Sequence, residues 1–265
     1  MVEEAVETNA PPSSKSGVLT PSQAGSNWTP ETILGGLDHR PETGSTSPIP
    51  FFHLMERLKT TKREGWRRFG IVHGESIADH MYRMSILTML APPALSSRLN
   101  IPHCTKMALI HDMAESLVGD ITPVDGVSKS EKSRREEETM NYLCKGLLGN
   151  VAGGEQGAAI EAVWREYEDS QTLEAKFVHD VDKMELLLQM VEYERSQGGR
   201  VDLGEFAYVA TKIELPEMKE WAHDIIAERR AFWKSVGKPP LEDGDSIEMG
   251  KIEQIDEYYG RKDGI

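Results

Sequence analysis

A long helical pattern runs through LEAKFVHDVDKMELLLQMVEYER, residues 173–195. Its apolar side chains recur along one side of the predicted helix, at Phe177, Val181, Met184, Leu187, Leu188 and Val191. That spacing is typical of an α-helix that packs against a core. No stretch of strand length alternates between apolar and polar residues, and no internal repeat is visible. The sequence therefore predicts an all-α fold.

Further helices are predicted on both sides of this segment. Ser76 to Asp79 resembles a capping box with Asp in its last place, and it predicts a helix that ends at Pro92. Asn100 predicts the start of another helix, with Pro in its first turn and a stop at Gly119. The remaining helical patterns cover residues 50–58, 129–148, 161–168 and 216–233, with a loop over 120–128 and a glycine-rich break over 149–157.

The composition divides the 265 residues into three parts. Residues 1–47 are rich in Pro, Ser, Thr and Gly without a sustained period, which predicts a disordered tail. Residues 48–237 carry the helical patterns and form the predicted domain. Residues 238–265 are polar and acidic, and we expect a second loose tail there.

The chain is acidic, with a formal net charge of −14. Such a surface repels polyanions, so we expect no nucleic-acid partner, although a bound divalent cation can still attract a small phosphorylated substrate. The two cysteines, Cys104 and Cys144, have no metal-binding or redox spacing and support no disulfide framework. Neither a targeting segment nor a membrane span is apparent. These features predict a soluble intracellular protein, cytoplasmic or nuclear.

The stretch with the most chemical information is HDMAESLVGD, residues 111–120. On a helix, Glu115 would project from nearly the same face as His111 and Asp112. Polar groups on one side of an apolar helix are costly to bury without partners, and a metal ion would be such a partner. A His-Asp pair alone is common and usually carries no function, so the nearby Glu115 and Asp120 are what favour a site.

A metal ion needs further ligands, and several candidates remain open. His80 follows a helix start with apolar residues on both sides, whereas His53, His73, His103 and His223 lie near helix ends or in loops. Asp182 lies within the long apolar helix, where Asp has poor helix propensity. It can equally be explained as the partner of a Lys or Arg. Asp180 and His179 compete with it, because Asp180 and Asp182 cannot share one face of a helix.

The order of these residues resembles the H…HD…D pattern of the HD superfamily. His80, His111, Asp112 and Asp182 occupy the four positions. The motifs around them resemble those of the HD-domain 5′-deoxynucleotidases, in particular the eukaryotic HD-domain-containing protein 2 branch, over roughly residues 50–235. They are REGW (63–66), ESIADH (75–80), HDMAE (111–115), GDITP (119–123), WREYE (164–168), EAKFV (174–178), DKME (182–185) and YE (193–194).

The resemblance implies an HD-domain helical bundle that removes the 5′-phosphate from deoxynucleoside monophosphates. It implies that His80, His111, Asp112 and Asp182 bind one divalent cation, and it selects Asp182 over Asp180. Imidazole and carboxylate ligands suit Mn²⁺, Co²⁺, Fe²⁺ or Zn²⁺, with Mg²⁺ also compatible. The resemblance further implies a homodimer.

Four more positions match functional residues of that family. Glu115 and Asp120 match the acidic pair that orients or activates water and assists the leaving group. Arg63 matches a phosphate-binding arginine, and Trp66 matches a residue that shapes the nucleotide pocket. None of these positions departs from the family pattern.

Two other functions are consistent with parts of this pattern. The first is an HD phosphohydrolase for a cyclic nucleotide, a dinucleotide or a triphosphate. A triphosphate site needs several basic residues, and Arg63, Arg67 and Arg68 are clustered, although the acidic chain does not favour it. The second is a non-catalytic module with a structural metal, which would not need Glu115 and Asp120. The charge run at residues 129–138 is interpreted as a solvated helix face rather than a partner site.

Overall fold

The computed structural model describes residues 28–238, and within them it contains helices and no named β-strand. The α-helices are α1 (Pro30–Leu34), α2 (Ile49–Met55), α3 (Arg57–Thr60), α4 (Glu64–Arg67), α5 (Ile77–Met89), α6 (Pro93–Ser96), α7 (Ile101–Ala108), α8 (Glu115–Val118), α9 (Lys129–Asn141), α10 (Glu155–Asp169), α11 (Leu173–Ser196) and α12 (Pro216–Ser235). A π-helical turn, Tyr142–Leu147, continues α9, and two 3₁₀ segments cover Val151–Gly154 and Gly204–Lys212. The predicted all-α class is confirmed.

The core is organised around α11. This helix packs against α5, α7, α10, α12 and the 3₁₀ segment Gly204–Lys212. Because neighbours cover it on several sides, α11 buries residues around much of its circumference rather than along the single stripe expected from its sequence. The predicted capping box of α5 is also present, since Ser76 Oγ accepts from Asp79 N and the Asp79 carboxylate accepts from Ser76 N. No helix among the described residues is long and apolar enough to cross a bilayer.

The single helix predicted from Asn100 to Gly119 is wrong. The structure has α7 and α8, joined by a turn over residues 109–114. Several backbone bonds in this turn are of the tighter i to i+3 kind, as in Met113 N to Ile110 O and Glu115 N to Asp112 O. The His111 ring binds Ala108 O through Nδ1 at 2.9 Å. His111 and Asp112 therefore lie in a turn between two helices.

The disordered tail predicted for residues 1–47 is also wrong from Trp28 onward. Residues 28–47, called here the N-terminal segment, include α1, which packs against α8 and α9. Trp28 is 2% exposed, its carbonyl accepts from Arg134 Nη2 at 3.0 Å, and the Arg135 guanidinium lies over its ring. The buried apolar side chains of Ile33 and Leu34 stabilise this segment despite its tail-like composition. Residues 1–27 and 239–265 of the predicted tails lie outside the described residues.

Candidate active site

Four side chains from three parts of the fold meet beside α11. His80 lies near the start of α5, His111 and Asp112 lie in the turn after α7, and Asp182 lies in the middle of α11. His80 Nε2 is 3.2 Å from Asp182 Oδ1 and 3.8 Å from Asp112 Oδ2, and His111 Nε2 is 3.2 Å from the same Asp112 oxygen. Ligand atoms of His80, His111 and Asp112 all lie within 4.8 Å of one another. The four predicted ligands therefore form one cluster.

The donor atoms of this cluster fit a divalent transition ion. The Nε2 atoms of His80 and His111 are buried and make no hydrogen bond. Each Nδ1 has a partner on the opposite side of the ring, Glu185 Oε2 for His80 and Ala108 O for His111. A buried polar atom without a partner is unusual, and two of them facing two carboxylates are explained by an ion between them. This arrangement also supports the selection of Asp182.

The charges of the cluster reinforce one another. Burial alone would raise the pKa of Asp182, but His80 and Arg63 beside it hold that pKa well below the usual aspartate range. The pKa of Asp112 is lowered in the same way, against burial, chiefly by His111. Burial and Arg63 lower the pKa of His80, yet the carboxylates of Glu185 and Asp182 raise it to about 10. The pocket therefore favours ionised carboxylates facing a positive charge.

Asp180, the competing candidate, has a structural role. Its carboxylate is fully buried and accepts from the backbone N–H groups of Glu214 and Leu215, just before α12 begins. Lys183 Nζ lies 3.7 Å from it. A Lys or Arg partner, considered above as an explanation for Asp182, is thus part of the explanation for Asp180. The Asp180 carboxylate also fixes the backbone at the start of α12.

Arg63 and Asp120 both lie at the start of α4. Arg63 Nη1 is 3.6 Å from Asp112 Oδ2, with its side chain 15% exposed. Burial lowers the pKa of this guanidinium, but Asp120, Asp182 and Asp112 raise it well above its usual value. Asp120 Oδ2 accepts from Glu64 N at 2.6 Å, so one acid holds the backbone beside the arginine.

Glu115 is the acid that the structure leaves without a hydrogen bond on one oxygen. Its side chain is buried and its Oε2 has no hydrogen-bond partner. Burial, followed by the nearby carboxylates of Asp112 and Asp120, raises its pKa well above the usual glutamate value. A carboxyl group in this environment can hold a proton near neutral pH.

A cavity of about 290 Å³ opens over this cluster. Trp66 forms part of its wall, with its ring 4.6 Å from that of Phe206 and its Nε1 donating to Glu75 Oε1 at 2.9 Å. His80 is buried behind the cavity, with its Nε2 3.2 Å from Asp182 Oδ1. The other seven predicted site residues line the cavity: Arg63, Trp66, His111, Asp112, Glu115, Asp120 and Asp182.

Several lining residues were not predicted from the sequence. Phe206 comes from the 3₁₀ segment Gly204–Lys212, where the sequence analysis predicted no helix. Lys132 and Glu136, 3.4 Å apart, come from α9 and line the cavity. Burial raises the pKa of Glu136 to about 7. The solvated-face interpretation of residues 129–138 is thus wrong for part of α9. The apolar Met140, four residues after Glu136, was the signal that this side of the helix faces inward.

The comparisons with known proteins agree with this geometry. An HD domain family model matches residues 55–221. The chain is 47% identical over 198 residues to the 5′-deoxynucleotidase hdd1 of Schizosaccharomyces pombe, covering 74% of this chain and 98% of that protein. It is 37% identical to the human 5′-deoxynucleotidase HDDC2, covering 74% of this chain and 93% of that protein. The solved structure of the HD domain-containing protein YGK1 superposes with a TM-score of 0.57 at 31% identity, covering 78% of this chain and all of that one.

Proposed function

The chain belongs to the HD domain family, and we propose that it is a metal-dependent 5′-deoxynucleotidase that hydrolyses deoxynucleoside 5′-monophosphates to deoxynucleosides and phosphate. The observation that carries this proposal is the pair of buried Nε2 atoms without hydrogen bonds, facing Asp112 and Asp182 beside the Arg63 guanidinium. An ion site beside a fixed guanidinium suits a phosphate group, because both stabilise the charge on its oxygens.

His80, His111, Asp112 and Asp182 would hold the ion. Mixed imidazole and carboxylate donors favour Mn²⁺, Co²⁺, Fe²⁺ or Zn²⁺, and Mg²⁺ is also compatible. When bound there, a divalent ion supplies a Lewis acid for the phosphate and makes water a better nucleophile.

The remaining steps fall to side chains around the cluster. Water attacks phosphorus and the P–O5′ bond breaks, so the nucleophile loses a proton and O5′ gains one. The raised pKa of Glu115 suits a carboxyl that donates a proton to O5′, and the Asp120 carboxylate is available to accept the proton that the water loses. Arg63 offsets the charge on the phosphate oxygens, and Trp66 borders the space for the nucleoside.

The basic residues near α4 favour a monophosphate over a triphosphate. Arg67 pairs with Glu64, and Arg68 pairs with Glu205 across the cavity lining. This leaves Arg63 as the guanidinium that contacts a proposed ion ligand. The alternative of a structural metal without catalysis is disfavoured by Glu115, whose burial without full hydrogen bonding would serve no structural purpose.

We also propose that the protein is a homodimer, in line with the family resemblance. Tyr82, Ile86 and Met89 lie at i, i+4 and i+7 of α5, so they share one face, and all three are exposed. An exposed apolar stripe of this kind is typical of a protein interface. The measurement is the molar mass in solution. Ile86→Glu should give monomers, and Phe52→Glu, at an exposed apolar position outside the stripe, should not.

The activity is tested by phosphate release from 5′-dAMP and 5′-AMP. Metal-stripped protein is resupplied with Mn²⁺, Co²⁺ or Mg²⁺ and compared with Asp112→Ala and with His223→Ala, a histidine outside the site. We expect metal-dependent release that favours dAMP, is lost in Asp112→Ala and is retained in His223→Ala. Folded protein that releases no phosphate with any of these ions contradicts the proposal and directs attention to other phosphorylated substrates.

A further inference from the structure

Behind the ligand cluster lies a hydrogen-bonded chain of charged side chains that the proposed reaction does not use. Glu185 follows Asp182 by three residues on α11, and its side chain is fully buried. Its Oε2 accepts from His80 Nδ1 at 2.7 Å, and its Oε1 accepts from Arg83 Nε at 2.8 Å. A buried carboxylate is costly unless its oxygens are paired, and here both are. Glu185 therefore joins a candidate metal ligand to a cation.

Arg83 holds this arrangement between two helices. From α5 it reaches three side chains of α11: Glu185, Gln189 at 2.8 Å and Glu192 at 2.6 Å. Their spacing places all three on one face of α11. The guanidinium thus fixes α5 against α11 at the level of His80. It also fixes the direction from which Glu185 approaches the ring.

The two histidines of the cluster are supported differently. His111 Nδ1 binds a neutral carbonyl, Ala108 O at 2.9 Å, whereas His80 Nδ1 binds a carboxylate. In both rings a proton on Nδ1 leaves the Nε2 lone pair directed into the cluster. A carboxylate partner makes an imidazole a stronger ligand than a carbonyl partner does.

A second ion between Glu75 and Glu185 is the competing explanation, because the ligand atoms of Glu75, His80 and Glu185 also lie within 4.8 Å of one another. Three of the four carboxylate oxygens there already have hydrogen-bond partners. Trp66 Nε1 donates to Glu75 Oε1, and Glu185 accepts from His80 and Arg83. An ion would have to displace these bonds, so this group is better explained as support for His80.

We propose that Glu185, held by Arg83, is a positioning residue that orients His80 and strengthens it as a ligand of the metal centre. This inference rests on the metal centre proposed above. Outer partners of metal-bound histidines contribute about 10–100-fold to metal affinity.

The test measures Co²⁺ binding to the metal-stripped full chain by calorimetry, with no nucleotide present. Glu185→Gln keeps the shape and removes the charge, and we expect the Co²⁺ dissociation constant to rise about 10–100-fold. The matched control is Glu192→Gln, which changes another carboxylate bound to Arg83 on the same helix, where the side chain is half exposed. We expect this control to bind Co²⁺ within about twofold of the parent, since exposed ion pairs contribute little.

A spectroscopic measurement separates positioning from a general loss of stability. In Zn²⁺-loaded, ¹⁵N-histidine-labelled protein, the Nδ1–H resonance of His80 should shift in Glu185→Gln while that of His111 stays in place. If Glu185→Gln does not fold, Glu185→Asp keeps the charge and withdraws it from the ring, and it should weaken Co²⁺ binding by at least about threefold.

The outcomes separate this inference from the function. A parent chain that binds no Co²⁺ overturns the metal centre and this inference with it. If the parent binds Co²⁺ and folded Glu185→Gln binds it equally well, the positioning role alone is overturned. The same holds if Glu192→Gln weakens Co²⁺ binding as much as Glu185→Gln does. Binding of two Co²⁺ ions per chain would favour the second ion site and would also overturn the positioning role.

Discussion

Exchanging the two aspartates of α11 tests the assignment that the sequence left open. Asp182→Asn removes a carboxylate whose Oδ1 lies 3.2 Å from His80 Nε2. A unit charge pair at about 4 Å and an effective dielectric constant near 20 is worth about 4 kcal/mol, or roughly three decades in a dissociation constant. We therefore expect Asp182→Asn to bind Co²⁺ about 1,000-fold more weakly and to lose dAMP hydrolysis.

Asp180→Asn should instead retain Co²⁺ binding and dAMP hydrolysis and lower the thermal stability of the protein. Its carboxylate accepts from Glu214 N and Leu215 N at 2.7–3.1 Å, and the amide can replace only part of this. The loss of such a cap costs about 1 kcal/mol, which lowers the midpoint temperature by about 2–4 °C in a domain of this size. Calorimetric Co²⁺ titration, phosphate release and thermal unfolding of both variants form the assay. The reasoning is refuted if Asp180→Asn abolishes metal binding while folded, or if Asp182→Asn retains it.

Three further predictions concern catalysis, pH and the N-terminal segment. Glu115→Gln should lower kcat about 100- to 10,000-fold while Co²⁺ affinity stays near that of the parent, and a loss confined to KM would contradict its role. Burial, with Lys183, lowers the pKa of His179 to about 4 in the folded protein, whereas an unfolded histidine has a pKa of about 6.5. Between these two values the unfolded chain binds more protons at His179 than the folded chain does. Stability should therefore fall as the pH drops from 6.5 towards 4, and urea unfolding of His179→Asn should depend less on pH over that range. Trp28→Ala should cost about 3–5 kcal/mol in urea unfolding, against less than about 0.5 kcal/mol for the exposed control Phe52→Ala; equal effects would mean that the segment is not packed in solution.

The parts of the fold that follow a regular period were predictable from the sequence. The start of α5 is marked by Ser76 and Asp79, and α11 begins at the predicted residue and ends one residue later than predicted. The break between α7 and α8 was not predictable, because the apolar pattern continues through the turn. In the structure the His111 ring binds Ala108 O, the carbonyl to which Asp112 N would donate in a continuous α-helix.

Composition could not show that Trp28 is buried, since its partner Arg134 is more than a hundred residues away along the chain.

The candidate site was predictable where residue order carried the information. The wall formed by Phe206 was missed, because a 3₁₀ segment gains its position from tertiary packing. Glu185 was visible within DKME, but its contact with His80 depends on how α5 packs against α11.

The packing of the N-terminal segment also has a consequence for the order of events during synthesis. The bond from Arg134 to the Trp28 carbonyl spans 106 residues. At about 5–20 residues per second, roughly 5–20 s of translation separate these two residues. For most of that interval α8 and α9 have not been made, so the side chains of Trp28, Ile33 and Leu34 lack these packing partners. The N-terminal segment is therefore made first among the described residues, yet it docks only after α9 has left the ribosome, and its apolar side chains are open to chaperones until then.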